Sequence, residues 1–161
     1  VGYTTRPMRE GERDGVEYFF VDEEKMLLLE AEGKVIERRS YNTVHGIWSY
    51  FTVDDGQVNL DSDDKYLLIG TLESYEKVRN YYGKEYLVPL YISVDDGLRL
   101  QRALDRERQQ DKPKYAEMCR RFLADEADFA KENIDRCEIT VSYENVDLES
   151  CYKLICDRIC E

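Results

Sequence analysis

Arginine collects in three stretches of the sequence, each spaced in a way that could serve an anion. The first is TTRPMREGERDGVEYFF, residues 4–20, which sets Arg6, Arg9 and Arg13 beside Gly11, Gly15 and Tyr18. In the second, LRLQRALDRER at 98–108, Arg99, Arg102 and Arg106 fall at i, i+3 and i+7 and share a helix face within roughly 60°. The third is Arg120 with Arg121, of which Arg121 flanks the expected buried stripe Tyr115, Met118, Phe122 and Phe129. A guanidinium offers fixed, paired donors and keeps its charge at neutral pH, so it suits phosphate. Three on one helix face repel unless an anion joins them or carboxylates such as Asp105 and Glu107 neutralise them at the surface. Gly11 and Gly15 let the first stretch turn tightly or bring its backbone close to a ligand; a charged surface hairpin is the alternative.

The elements that must position these residues follow from pattern. Residues 18–21 favour a strand, and Asp22 can cap a helix over MLLLEAE that Gly33 ends. Strands are expected over 34–41 and 46–53, joined by a turn at Asn42 and Thr43. YLLIG at 66–70 and EYLVPLYISV at 85–94 read as buried strands of a parallel sheet, with a helix between them that Thr71 caps and Gly83 stops. Two helices, 97–110 and 114–132, precede a strand at 138–142. A last helix, capped by Asp147, carries the stripe Leu148, Cys151, Tyr152, Ile155 and Ile159 as core.

The whole chain limits the possible partners. Its 161 residues carry 35 acidic against 23 basic side chains, a formal charge of −12. Such a surface repels nucleic acid and anionic membrane, and no aromatic-basic strand motif offers to stack bases. An anionic partner must therefore be small and met locally. No apolar run approaches the roughly 18–20 residues that span a bilayer, and no secretory leader opens the sequence, so a cytoplasmic location is expected. The five cysteines lack paired C-x-x-C spacing and are read as reduced thiols, with no metal site assigned.

With these residues assembled, the chain resembles guanylate kinase from Tyr3 to about Ile159. The resemblance rests first on Thr4-Thr5-Arg6-Pro7-x-Arg9-x-Gly11-Glu12-x-x-Gly15-x-x-Tyr18-x-Phe20-Val21, and next on Gly33-Lys34-Val35-Ile36-Glu37. It implies one α/β domain over 1–161 with a P-loop-kinase-like three-layer core and a parallel sheet at 54–97 and 122–161. A small mixed-strand lobe at 1–53 would bind the nucleoside monophosphate, and 98–121 would form a helical lid. It also implies roles. Arg6, Arg9 and Tyr18 would hold the GMP phosphate, and Glu37 would accept from guanine N1 and the 2-amino group, as only an acceptor can. Arg102, Arg106 and Arg121 would close over the transferring phosphoryl group, with ATP and Mg2+ as co-substrate and cofactor.

The departures from the family shape the expectation equally. The glycine loop G-x-x-x-x-G-K-[ST] is absent from the 161 residues, so the chain by itself is expected not to phosphorylate efficiently. A longer enzyme, carrying that loop and the sheet's central strand ahead of Val1, is the expected explanation. Without that strand, open sheet edges would favour self-association. Gly2 stands where the family has serine near the guanine oxygen. Ile69-Gly70-Thr71 stands where a D-x-D pair flanks magnesium, leaving Thr71 as a candidate substrate contact. His45 precedes Gly46 where the family has tyrosine, and is a candidate for the GMP phosphate. The alternative function is a non-catalytic guanylate kinase-like protein-binding module.

Overall fold

A computed structural model describes residues 1–43 and 46–160. They form a mixed α/β protein with two sheets and six α-helices among the described residues, in two compact units: Val1–Leu87 and the residues from Val88 onward.

The first unit is built on strands β1 (Tyr3–Thr4), β2 (Phe19–Phe20), β3 (Val35–Thr43) and β4 (Gly46–Val53), in the order β2-β1-β4-β3. β1 and β2 run parallel; β4 is antiparallel to both β1 and β3. Helix α1 (Glu23–Ala31) starts where the sequence says it must. The Asp22 carboxylate accepts from the Lys25 amide at 2.8 Å, Glu23 and Glu24 complement the positive helix end, and Gly33 leaves at φ +70°. Its buried Met26 and Leu29 pack on Phe51 and Val53 of β4, with Tyr3, Val21 and Val35 around them. Each such side chain contributes about 1.5–3 kcal/mol by leaving water. Because side chains alternate along a strand, the face of β4 opposite Phe51 and Val53 carries Trp48, Tyr50 and Thr52.

Two expectations for this unit are corrected. Asn42 and Thr43 do not form the turn but continue β3, opposite Ile47 and Gly46. The Thr43 hydroxyl donates to the Gly46 carbonyl at 2.8 Å and extends the pairing. Residues 66–70 are not a strand. Leu67 and Ile69 are 77% and 98% exposed, because a doubly buried strand needs ladder partners and no described residue pairs with this run. Helix α2 (Leu72–Tyr82) does begin at Thr71, whose hydroxyl accepts from the Ser74 amide at 3.3 Å, and it buries Leu72, Ser74 and Val78.

The second unit holds one parallel pair, β5 (Tyr91–Ser93) with β6 (Ser142–Glu144), joined through α3 (Asp96–Arg108), α4 (Tyr115–Asp128) and α5 (Lys131–Arg136). The pairing thus joins 91–93 to 142–144, not to 66–70. The single helix expected over 114–132 breaks at Phe129. That ring stacks on Tyr91 at 6.0 Å while Ala130 turns extended, and Asn133 then caps the carbonyls of Ala127 and Asp128. β6 starts four residues later than expected because Glu138 sits at φ +58° and spends the following residues leaving α5. Helix α6 (Leu148–Cys160) is capped by Asp147, but of its apolar stripe only Cys151 is buried, with Leu148 and Tyr152 exposed. Nor does the stripe on α4 bury fully: Tyr115 is exposed and Met118, Phe122 and Phe129 are half-buried. A two-stranded sheet is too small to cover both helices. No described helix is long and apolar enough to cross a membrane, and the five cysteines are free.

Candidate functional site

The sheet face of the first unit turned away from α1 is where charge and aromatic surface meet. Arg6, just past β1, is 4% exposed. Glu12 reaches back across the loop and grips it with both oxygens, at 2.7 and 2.5 Å. The same carboxylate accepts from the Arg9 amide at 2.7 Å. The Arg6 guanidinium, followed by the backbone amide of Arg9, holds the Glu12 carboxyl down to about 2. The Arg6 guanidinium in turn lies 5.3 Å from the ring centroids of both Tyr18 and Phe20, a cation–π seat. Tyr50 adds its hydroxyl to the same group, and its ring meets Tyr18 and Tyr41 edge-on. The loop that makes this possible turns at Gly15, which has φ +76° and whose amide donates to the Tyr18 carbonyl at 2.8 Å.

Arg6 is therefore no part of a solvated hairpin. Its Nε is buried without a hydrogen-bond partner among the described residues, an orphan donor on this face. Arg9 and Arg13 are exposed, and the Arg9 guanidinium makes no hydrogen bond among the described residues, though its charge acts on Glu12. One rigid guanidinium and one exposed one on the same loop offer two sets of donors to an anion.

Glu37 occupies the same face on β3, opposite Thr52 in the ladder, and Arg39 lies opposite Tyr50. The Glu37 side chain is fully covered. It accepts from Thr52 Oγ1 at 2.9 Å, from Arg39 Nε at 3.1 Å and from Arg39 Nη2 at 3.4 Å.

The other candidates stand elsewhere. Thr71 is occupied as the α2 cap. His45 lies outside the described residues. In the second unit Arg102 donates to the carbonyls of Asn145 and Val146 at 3.0 and 2.7 Å, and Arg121 bonds Glu117 at 2.9 Å. Arg120, then Arg121, holds Glu117 down to about 2. Arg106 is exposed, with no side-chain partner among the described residues. Arg99, the third member of that helix face, is neutralised by Asp96 and Glu126 and lies over the Phe122 ring, tying α3 to α4. Arg99 and Arg102 thus find separate partners, and Arg106 points to solvent.

Sequence reasoning missed Glu12, Arg39, Tyr50 and Thr52. The period of two along 37, 39 and 48, 50, 52 was the available signal for the last three. For Glu12, the signal was an acid inside an arginine cluster.

Residues 1–53 match the family model described as guanylate kinase. Guanylate kinases of Legionella pneumophila strains Lens and Paris are each 57% identical over 37 residues, a match spanning 23% of this chain and 18% of the relative's length. The crystal structure of guanylate kinase from Anaplasma phagocytophilum superposes with a TM-score of 0.64, covering 99% of this chain and 72% of that one at 23% identity, which speaks for the fold. The likeness to guanylate kinase is carried by residues 1–53, the part of the chain that the family model matches.

Proposed function

We propose that the first unit binds GMP or a close relative and that the protein is a guanylate kinase-type nucleoside monophosphate kinase, turning GMP and ATP into GDP and ADP. The observation that carries this reading is the buried Arg6, clamped by Glu12 over Tyr18 and Phe20, with the Arg9 guanidinium exposed on the same loop. In this reading Arg6 and Arg9 neutralise the monophosphate, Tyr18 donates its hydroxyl, and Glu37 accepts from the donor edge of guanine. Residues 1–53 are the monophosphate lobe, 54–97 and 122–161 the core, and 98–121 the lid. Arg102, Arg106 and Arg121 are the lid's guanidiniums, of which Arg102 and Arg121 must first leave their present partners. A cytoplasmic location is part of the same reading. The names of the matched relatives support the enzyme over the non-catalytic module.

The residues present do not fit ATP phosphates or magnesium. The sequence has no G-x-x-x-x-G-K-[ST] loop, Ile69-Gly70-Thr71 offers no carboxylate, and among the described residues no three His, Cys, Asp or Glu are grouped to hold a metal. Transfer in this reading requires a phosphate cradle in addition to these residues, and the chain as it stands only binds. Calorimetry tests the binding. GMP heat that falls at least tenfold in affinity with Arg9→Ala is expected; a chain that takes GMP no more tightly than inorganic phosphate refutes the reading.

A further inference from the structure

The pair Glu37–Arg39 is arranged for more than mutual neutralisation. Glu37 is fully covered, and Arg39, two residues on along the same strand face, forms part of that cover while staying 19% exposed. Only Nε and Nη2 of Arg39 engage the carboxylate, the second at a long 3.4 Å, and among the described residues Nη1 makes no hydrogen bond. The guanidinium therefore keeps donors free beside two carboxylate oxygens. Together the pair offers acceptor, acceptor and donor in a row. The Watson–Crick edge of a 6-oxopurine with a 2-amino group offers donor, donor and acceptor, and guanidinium donors pair well with such an oxygen. Adenine places an acceptor at N1 and a donor at position 6, mismatching both members of the pair.

Position agrees with this chemistry. Arg39 faces Tyr50 across the β3–β4 ladder, and Tyr50 faces Thr4 across β4–β1, next to Arg6. Two strand spacings, roughly 10 Å, separate the phosphate-binding edge from the Glu37–Arg39 edge, a span a mononucleotide bridges from phosphate to base.

We infer that Arg39 is a specificity-determining residue: its guanidinium covers Glu37 while the site is empty and turns, with a purine in place, to donate to the 6-oxo oxygen beside the N1–H that Glu37 accepts. The inference rests on the proposed GMP site and deepens it. Covering Glu37 spares the empty site a buried unpaired carboxylate, and turning opens the carboxylate only to a ligand that brings its own donors.

The test is calorimetry of the whole chain with GMP, IMP, AMP and ribose 5-phosphate, for the wild type, Arg39→Met and Arg39→Gln. IMP keeps the 6-oxo group and N1–H without the 2-amino group; ribose 5-phosphate has no base. Arg39→Met is expected to weaken GMP and IMP at least tenfold and leave AMP and ribose 5-phosphate within twofold, with Arg39→Gln intermediate because its amide still donates. A GMP-to-AMP ratio unchanged by both substitutions overturns the inference. So does loss of ribose 5-phosphate in both variants, since Arg39 would then hold the lobe together without reading the base. A wild type that binds GMP no better than ribose 5-phosphate sinks the GMP site itself, and this inference with it.

Discussion

Cutting the Glu37–Arg39 contact measures how firmly the covered carboxylate is held. The perturbation is a double-mutant cycle of Glu37→Gln, Arg39→Met and both together; glutamine keeps an oxygen for the Thr52 hydroxyl, so that bond is left out of the difference. Two bonds link the pair. The one at 3.1 Å is a sound charge-assisted hydrogen bond, worth about 1.5–3 kcal/mol, whereas the one at 3.4 Å lies at the limit of useful geometry and adds little. Arg39 is 19% exposed, so water partly replaces its lost partner and the value falls at the lower end, about 1.5–2 kcal/mol. Urea unfolding followed by the fluorescence of Trp48, the single tryptophan, reads the sheet that carries both residues. A coupling below about 0.5 kcal/mol at constant slope would mean the pair behaves as a solvated surface pair, and the covered site as drawn would be wrong.

Further tests address the phosphate end and the core. Glu12 is held at about 2 against an ordinary value of 4.5, by Arg6 first and then the Arg9 amide. Its folded value lies below its unfolded one, so its contribution to stability is complete above pH 4.5 and fades as pH falls through about 2. Carboxyl NMR should find the Glu12 midpoint near 2, and the stability gap between wild type and Glu12→Gln should close there; a midpoint near 4.5 contradicts the clamp. Arg9→Ala removes an exposed guanidinium that makes no hydrogen bond among the described residues, and is expected to weaken GMP about 10- to 100-fold, the value of one charge-assisted bond, with little change in melting temperature. A parallel loss of stability would assign Arg9 a structural role. Phe51, 2% exposed against Met26 and Leu29, should cost about 3–5 kcal/mol as Phe51→Ala in the same urea assay; a loss under about 1.5 kcal/mol would mean that this core is not closed.

What the sequence made legible is what short-range chemistry decides. Asp22 and Gly33 bracket α1 through contacts within a few residues, and β3 and β4 pair as near neighbours in the chain. The apolar run 66–70 looks the same in sequence whether its neighbours are present or not, because a ladder depends on residues far away along the chain. The break at Phe129 and the delay of β6 hang on a ring reaching Tyr91 and on the left-handed turn at Glu138, neither of which a helical period reveals. In the candidate site the family motif pointed to Arg6, Arg9, Tyr18 and Glu37, yet it was silent on what holds them. Glu12 acts across a six-residue loop and Tyr50 across two strands.

The bare strip Tyr66-Leu67-Leu68-Ile69 follows directly on Asp63, Asp64 and Lys65 in a chain of net charge −12. Those charges act as gatekeepers. In dilute buffer of about 0.01 M the repulsion between molecules reaches about 30 Å and holds the greasy segments apart, but in molar salt that reach shrinks to about 3 Å. The colloidal behaviour of this protein should therefore run from dispersed at low ionic strength to clustered in concentrated sulfate, and a charge placed at Ile69 should abolish the clustering.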